Sequence, residues 1–289
     1  MSLYGAFDKR NNLSELTEPD NYAPGGIKTA AARQLEALQN ITGDSNITLA
    51  DMTKLAGITA TAAEINNLSD FAYVQLFDDF TGDALNAEWV PLSGADAQAL
   101  DPAIIAASNG FLFLQSGDSN TNYAADASQL SGEVIWLPSQ TLVIEARLYA
   151  LTSVADRSWG FGFTDIKTLE APFSINGTTI TSNASDAVCF VHDTAATAGT
   201  VLHCLGVKAD TDTALTSSGQ VVAADTMYVL RIEIDASGQA VFKINGTTVA
   251  TVADACTPGT LLSPIVWSDT NTTASKAVGI DYIYVRQVR

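Results

Sequence analysis

The chain has 289 residues, with 47% hydrophobic and only 16% charged side chains, which is enough apolar material for a large core and excludes disorder along its whole length. Thirty-two Asp and Glu face 14 Lys and Arg, a formal charge of −18 that repels phosphate backbones and argues against a nucleic-acid partner. There is no run of about 18 apolar residues, so no membrane-spanning helix is expected.

Residues 1–26 are rich in Asn, Asp, Glu, Pro and Gly and hold neither a helical nor a strand period. They are expected to form an extended arm with little fold of its own, in which Tyr4 and Phe7 are isolated anchors for a partner surface. The start has no apolar signal-type stretch, and the three cysteines (Cys189, Cys204, Cys256) form no disulfide framework, so synthesis in a reducing cytoplasm is expected. Thr29 to Asn40 predicts a helix with Ala31, Leu35 and Leu38 on one stripe. A second short helix follows Thr48, with Leu49, Met52 and Leu55 as its apolar face and Gly57 as its stop.

Residues 57–70, GITATAAEINNLSD, carry a capping box: the Thr61 hydroxyl can accept from the backbone N–H of Glu64 while Glu64 reaches back. Ala62, Ile65 and Leu68 then share a face over about two turns, too short to be stable alone in water. Such a helix needs partners, either neighbouring elements or copies of itself about a symmetry axis. The segment Gly57–Leu68 resembles the G-x-T-A-T-A-x-E-[LI]-N-x-L units of fibre and decoration proteins of tailed bacteriophages. That resemblance implies a connector, usually trimeric, between a particle-bound base and a distal β domain. It implies a virion protein made in the host cytoplasm, with the major capsid protein or other virion proteins as partners.

From residue 71 onward the pattern becomes short strands separated by turn signals. The opening segment Phe77-Asp-Asp-Phe80 to Trp89 precedes expected strands at 111–114, 133–136, 141–148, 159–163, 187–192, 201–207, 228–234, 241–244, 247–252 and 277–285. Ile175-Asn-Gly-Thr-Thr-Ile180 and Ile244-Asn-Gly-Thr-Thr-Val249 each predict a type I′ hairpin, and Asp235-Ala-Ser-Gly238 a further turn. In Tyr228–Asp235, Tyr228, Leu230, Ile232 and Ile234 alternate with Arg231, Glu233 and Asp235, placing the charged residues on the opposite face. Many antiparallel strands without a long helix predict one β-sandwich over 71–289. The order of features, including Trp159-Gly-Phe-Gly-Phe-Thr-Asp165 and the closing Ile280-Asp-Tyr-Ile-Tyr-Val285, resembles concanavalin-A-like (laminin-G-like) jelly rolls. The resemblance implies about 14 strands in two sheets with one concave face.

Little in this domain reads as catalytic. Glycosidases of that superfamily place acids in an E-x-D-x-x-E pattern, because two carboxylates must flank the scissile bond. The nearest match, Glu233-Ile-Asp235, lacks the third acid, and Arg231 on the same face is expected to pair Glu233. Cys189, His192, His203 and Cys204 look like a metal set, but alternation sends each neighbouring pair to opposite faces and leaves no tetrahedral site. Buried cysteines and surface or interface histidines are expected instead. Trp159 and Phe161 (with Phe163) alternate on one strand, as core residues or as possible stacking contacts for sugar rings.

The resulting expectation is a phage capsid-decoration or head-fibre protein: 1–56 attach, 57–70 trimerise, and an antiparallel sandwich projects outward. It is expected to be neither an enzyme nor dependent on a cofactor or metal. The alternatives are a tail fibre that recognises host surface glycans through its concave sheet, and a glycan hydrolase.

Overall fold

The computed structural model describes residues 73–105, 110–119 and 122–289. The expected arm, the helices at 29–40 and 48–56 and the connector at 57–70 lie outside the described residues. So do their named anchors Tyr4, Phe7, Leu35, Leu38, Leu49, Met52, Leu55, Thr61, Glu64, Ile65 and Leu68.

The described residues form an antiparallel β-sandwich of the jelly-roll, concanavalin-A-like class, with 18 strands numbered here in chain order. Sheet A runs β16 (Thr247–Val252), β15 (Ala240–Ile244), β14 (Tyr228–Ile234), β6 (Leu142–Ala150), β18 (Ala277–Val288), β4 (Phe111–Gln115) and β3 (Leu100–Ile105). The first strand, β1 (Tyr73–Asp78), pairs the C-terminal half of β18. Sheet B runs β12 (Thr211–Asp212), β11 (Val201–Lys208), β10 (Ala187–Asp193), β7 (Arg157–Thr164), β17 (Ser263–Thr270), β5 (Ser128–Ser131) and β2 (Val90–Ser93), with β13 (Thr216–Val221) also on β11. The hairpin β8 (Phe173–Asn176) and β9 (Thr179–Ser182) and a single-turn helix α1 (Tyr123–Asp126) complete the architecture.

Alternation decides which side chains fill the space between the sheets. On β14, Tyr228, Leu230, Ile232 and Ile234 point inward and are buried, while Val229, Arg231 and Glu233 are half-exposed. Leu142, Ile144, Ala146 and Leu148 of β6 meet Trp159, Phe161 and Phe163 of β7 in the same core. Phe190 and Phe242 close it edge to face across the layers, 5.0 Å between centroids. The opening Phe-Asp-Asp-Phe segment is tied to this core by Asp78. Its carboxylate accepts from the Phe80 N–H at 2.9 Å, from Trp89 Nε1 at 2.9 Å and from Asn86 Nδ2 at 3.1 Å.

Several expectations need correction. The described residues hold 18 strands rather than about 14, because β2, β3, β5, β13 and β17 carry Pro, Ser or Gly that obscure a strand period. Residues 133–136 make no strand; Trp136 contributes only an isolated bridge to Leu262. Asn245 and Gly246 both take positive φ (50° and 81°), as a type I′ turn requires. At the other Asn-Gly, Asn176 is the last residue of β8 and only Gly177 has positive φ (63°), so that turn is shifted by one residue.

The two sheets differ on their outer faces. Every residue of β7 and of β10 is buried, because sheet B is covered on both sides. The segment between β7 and β10 folds back over it, and Phe173 and Ile175 of β8 pack with Cys189, Val191, Leu205, Ile265 and Trp267 in a second apolar cluster.

Candidate functional site

Residues directly opposite in antiparallel strands share a face, so the pairings map the outer face of sheet B. One row is His203, Val191, Gly160, Trp267 and Gln129 across β11, β10, β7, β17 and β5. The adjacent row is Asp193, Ser158 and Asp269. With strands about 4.8 Å apart, the Asp193 and Asp269 backbones are roughly 10 Å apart on either side of Ser158.

The first row is a floor. Trp267 is fully buried, and its indole lies where a side chain on Gly160 would stand. Gln129 is fixed by four bonds: Nε2 donates to Ser131 Oγ at 2.8 Å and to the Thr168 carbonyl at 3.0 Å, while Oε1 accepts from the Tyr123 hydroxyl at 3.0 Å and the Glu170 N–H at 3.1 Å. Tyr123 comes from α1, whose N-cap Asn122 accepts from the Ala125 N–H.

The second row holds the acids. Asp193 is buried and takes the Ile175 N–H at 3.2 Å and the Ala195 N–H at 2.9 Å, which pins the β8–β9 hairpin to the sheet. Burial raises its pKa, and those bonds oppose the shift. Asp269 is partly buried, within electrostatic reach of the Tyr123 phenol of α1 and of Asp126 and Asp193, and accepts from the Thr270 N–H at 2.9 Å. Burial, followed by the charges of Asp126 and Asp193, pushes its pKa up to about 7. Burial also raises the Tyr123 phenol well above its ordinary value, with the charges of Asp269 and Glu170 adding to the effect. A carboxyl poised near neutrality can donate a hydrogen bond when protonated, accept one when ionised, or pass a proton between the two.

The sequence-predicted residues lie elsewhere. Trp159 and Phe161 are fully buried between the sheets, so stacking against a sugar is corrected to core packing. Glu233 faces outward on sheet A, where Arg231 Nε pairs it at 2.6 Å as expected and Lys243 Nζ joins at 2.8 Å. Alternation does part Cys189 from His192 and His203 from Cys204: Cys189 lies in the outer cluster, and Cys204 in the core. Both histidines are buried rather than at the surface. His192 stacks on Trp159 at 5.9 Å, and burial followed by the charge of Arg157 lowers its pKa to about 4. Asp269, Asp193, Tyr123 and Gln129 were missed by pattern reading. The available signal was Ile265-x-Trp267-x-Asp269, a period-two face hidden inside a strand that also contains Pro264, Ser263 and Ser268.

No protein-family model and no curated protein matches the chain. Solved structures do. A protein of unknown function from Shewanella oneidensis MR-1 is similar over 84% of this chain and 95% of its own, at 12% identity and a TM-score of 0.50. The carbohydrate recognition domain of Emp47p covers 76% of this chain and 96% of its own, at 11% identity and a TM-score of 0.52. A chain described with endo-acting O-glycanases of human gut bacteria that initiate mucin breakdown covers 74% of this chain and 99% of its own, at 9% identity and a TM-score of 0.52. At these identities the likeness is one of fold. It overturns the expectation that the chain is not an enzyme, because that expectation rested on a missing one-strand acid pattern. An architecture described with glycan-cleaving proteins does not support such an exclusion.

Proposed function

We propose that the sandwich recognises glycans, and that the outer face of sheet B at Asp269 is where it does so. The observation that carries this reading is the partly buried Asp269 carboxyl, poised near neutral pH beside the Tyr123 phenol on a fixed floor. Sugar hydroxyls are donors and acceptors at once, so a carboxyl able to play either part suits them. The fold it shares with a carbohydrate recognition domain supports the same reading. On a glycan array the full chain is expected to bind a defined subset, and Asp269→Ala to weaken that subset about tenfold, the loss of one hydrogen bond to a charged or poised group. An array on which Asp269→Ala binds every glycan as the parent does overturns it.

The second reading concerns the whole chain and rests on Gly57–Leu68. The resemblance of that segment to phage connector units supports a virion structural protein, a capsid decoration or head fibre, in which residues 1–56 attach to the particle and 57–70 associate as a trimer. Threefold display would multiply the avidity of a weak glycan site. Removing residues 1–56 is expected to abolish co-sedimentation with phage particles while the sandwich keeps its melting transition; undiminished particle binding would assign attachment to another part of the chain.

A further inference from the structure

We infer that the outer face of sheet A is a second saccharide-binding surface, built for an uncharged glycan chain. This rests on the glycan reading above but places a separate site on the opposite side of the sandwich.

Among the described residues, sheet A has no covering layer equivalent to the β8–β9 hairpin, and its outward residues follow from the pairings. One row is Arg231, Glu145, Tyr284 and Phe77 across β14, β6, β18 and β1. The next is Arg147 and Tyr282, and beyond it Tyr149, Gly279 and Phe113 on β6, β18 and β4. With Phe111 and Tyr73, seven aromatic rings therefore lie on the half of the face made by β1, β4, β6 and β18. The other half presents Val229, Val241 and Thr248 at outward positions.

These rings are partly open to solvent, and Phe77 is 57% exposed. They are also held in place. A Cβ on Gly279 would collide with the Tyr149 ring, so Tyr149 lies across the neighbouring strand above a position without a side chain. Phe111 packs edge-on against Tyr149, 6.1 Å between centroids. The Tyr282 hydroxyl donates to Glu145 Oε1 at 2.8 Å, and its ring stands 6.1 Å from Phe77. Rings fixed before binding lose little conformational freedom when a sugar stacks on them.

Charge selects the ligand. The ion pairs on this face are Arg147 with Asp281, Arg231 with Glu145 and Glu233, and Lys243 with Glu233. With Arg286, which lies on the same face over the Tyr73 ring, that is four cations (Arg147, Arg231, Lys243, Arg286) against three carboxylates (Glu145, Glu233, Asp281), a near-balanced local charge of +1 on a chain carrying −18. A single excess charge, already held over the Tyr73 ring, offers little to a polyanion, and a polycation finds every carboxylate already paired. A second copy of the chain would have to press these ion pairs out of water, which is costly and unlike the cores of protein interfaces. A neutral saccharide stacks its C–H faces on the rings, while its hydroxyls reach the paired charges with water still present.

The test is a glycan array of neutral and sialylated oligosaccharides, probed with the full chain and with Tyr282→Ala, Phe77→Ala and Asp269→Ala. Glycans that survive Asp269→Ala are expected to be neutral, and to weaken about tenfold in Tyr282→Ala and severalfold in Phe77→Ala, with Tyr282→Phe retaining most binding. Phe77 is exposed at an edge strand, so its variant reports binding rather than folding. If all binding is lost with Asp269→Ala and unchanged in both aromatic variants, this inference falls and the Asp269 reading stands. Survivors that are exclusively sialylated overturn it, as does a concentration-dependent dimer that Phe77→Ala dissociates. An array with no bound glycan overturns both readings.

Discussion

Asp269→Asn is expected to stabilise the protein at pH 8 and to leave it unchanged at pH 4. In the folded state the Asp269 pKa is raised from 3.8 to about 7, chiefly by burial, so the fold favours its protonated form. Its contribution is fully favourable below the unfolded value near 3.8 and is lost as pH rises through about 7. Asn keeps the shape and neutrality at every pH. At pH 8 the variant therefore escapes a cost of about 2–4 kcal/mol, the free-energy equivalent of the shift. That corresponds to a rise in melting temperature of roughly 5–15 °C for a domain of this size. His192 works on the opposite limb: its folded pKa is lowered to about 4, so the neutral form is favoured and stability is lost as pH falls from about 6.5 towards 4. In the parent the two trends oppose each other over that window, and Asp269→Asn unmasks the acid limb. The decisive measurement is the difference between parent and variant in urea denaturation at pH 4, 6 and 8. A difference that does not grow with pH removes the electrostatic account of Asp269.

Gly160→Val is expected to be among the most damaging substitutions in the sandwich. Gly160 sits in the central strand β7, and a Cβ there would occupy the volume of the Trp267 indole and come 2.7 Å from the Phe190 carbonyl oxygen. Trp267 cannot swing aside, because Phe173 and Ile175 of the hairpin close the cluster above it. The variant must push the indole out or part the strands, at a cost of about 3 kcal/mol or more. A fall in melting temperature of about 10 °C or more, with a gain in tryptophan exposure to quencher, would mark displacement of Trp267. A variant that melts with the parent would mean that the second cluster is loosely packed. The same close approach explains a functional constraint: the floor on which Asp269 and Gln129 are arranged needs glycine beneath tryptophan.

Much of the sandwich was legible in the residues. Alternation along Tyr228–Asp235 assigned the core and solvent faces of β14, including the Arg231–Glu233 pair. Asn245-Gly246 announced its hairpin, and the run of short strands with regular turns and no long helix indicated an antiparallel sandwich. These features are local: side-chain period, turn stereochemistry and the apolar fraction are written within a few neighbouring positions.

The site was not legible, because its parts are distant in the chain. Tyr123, Gln129, Ser158, Asp193 and Asp269 meet only when β5, β7, β10 and β17 lie side by side. The strand β17 read poorly because burial on both faces removes the polar alternation that marks a half-exposed strand. For the same reason His192 and His203 were expected at the surface or an interface; the burial of His203 on the outer side of sheet B, near Asp193 and Ala198, and the core that takes His192 are tertiary facts. The sequence by itself determined the strand periods, the turns and an acidic chain with apolar residues enough for a core. Only the tertiary structure decided which face was covered, which acid was left partly buried on it with a raised pKa, and which rings remained open on the other sheet. Burial and charge proximity depend on neighbours that the local order of residues does not specify.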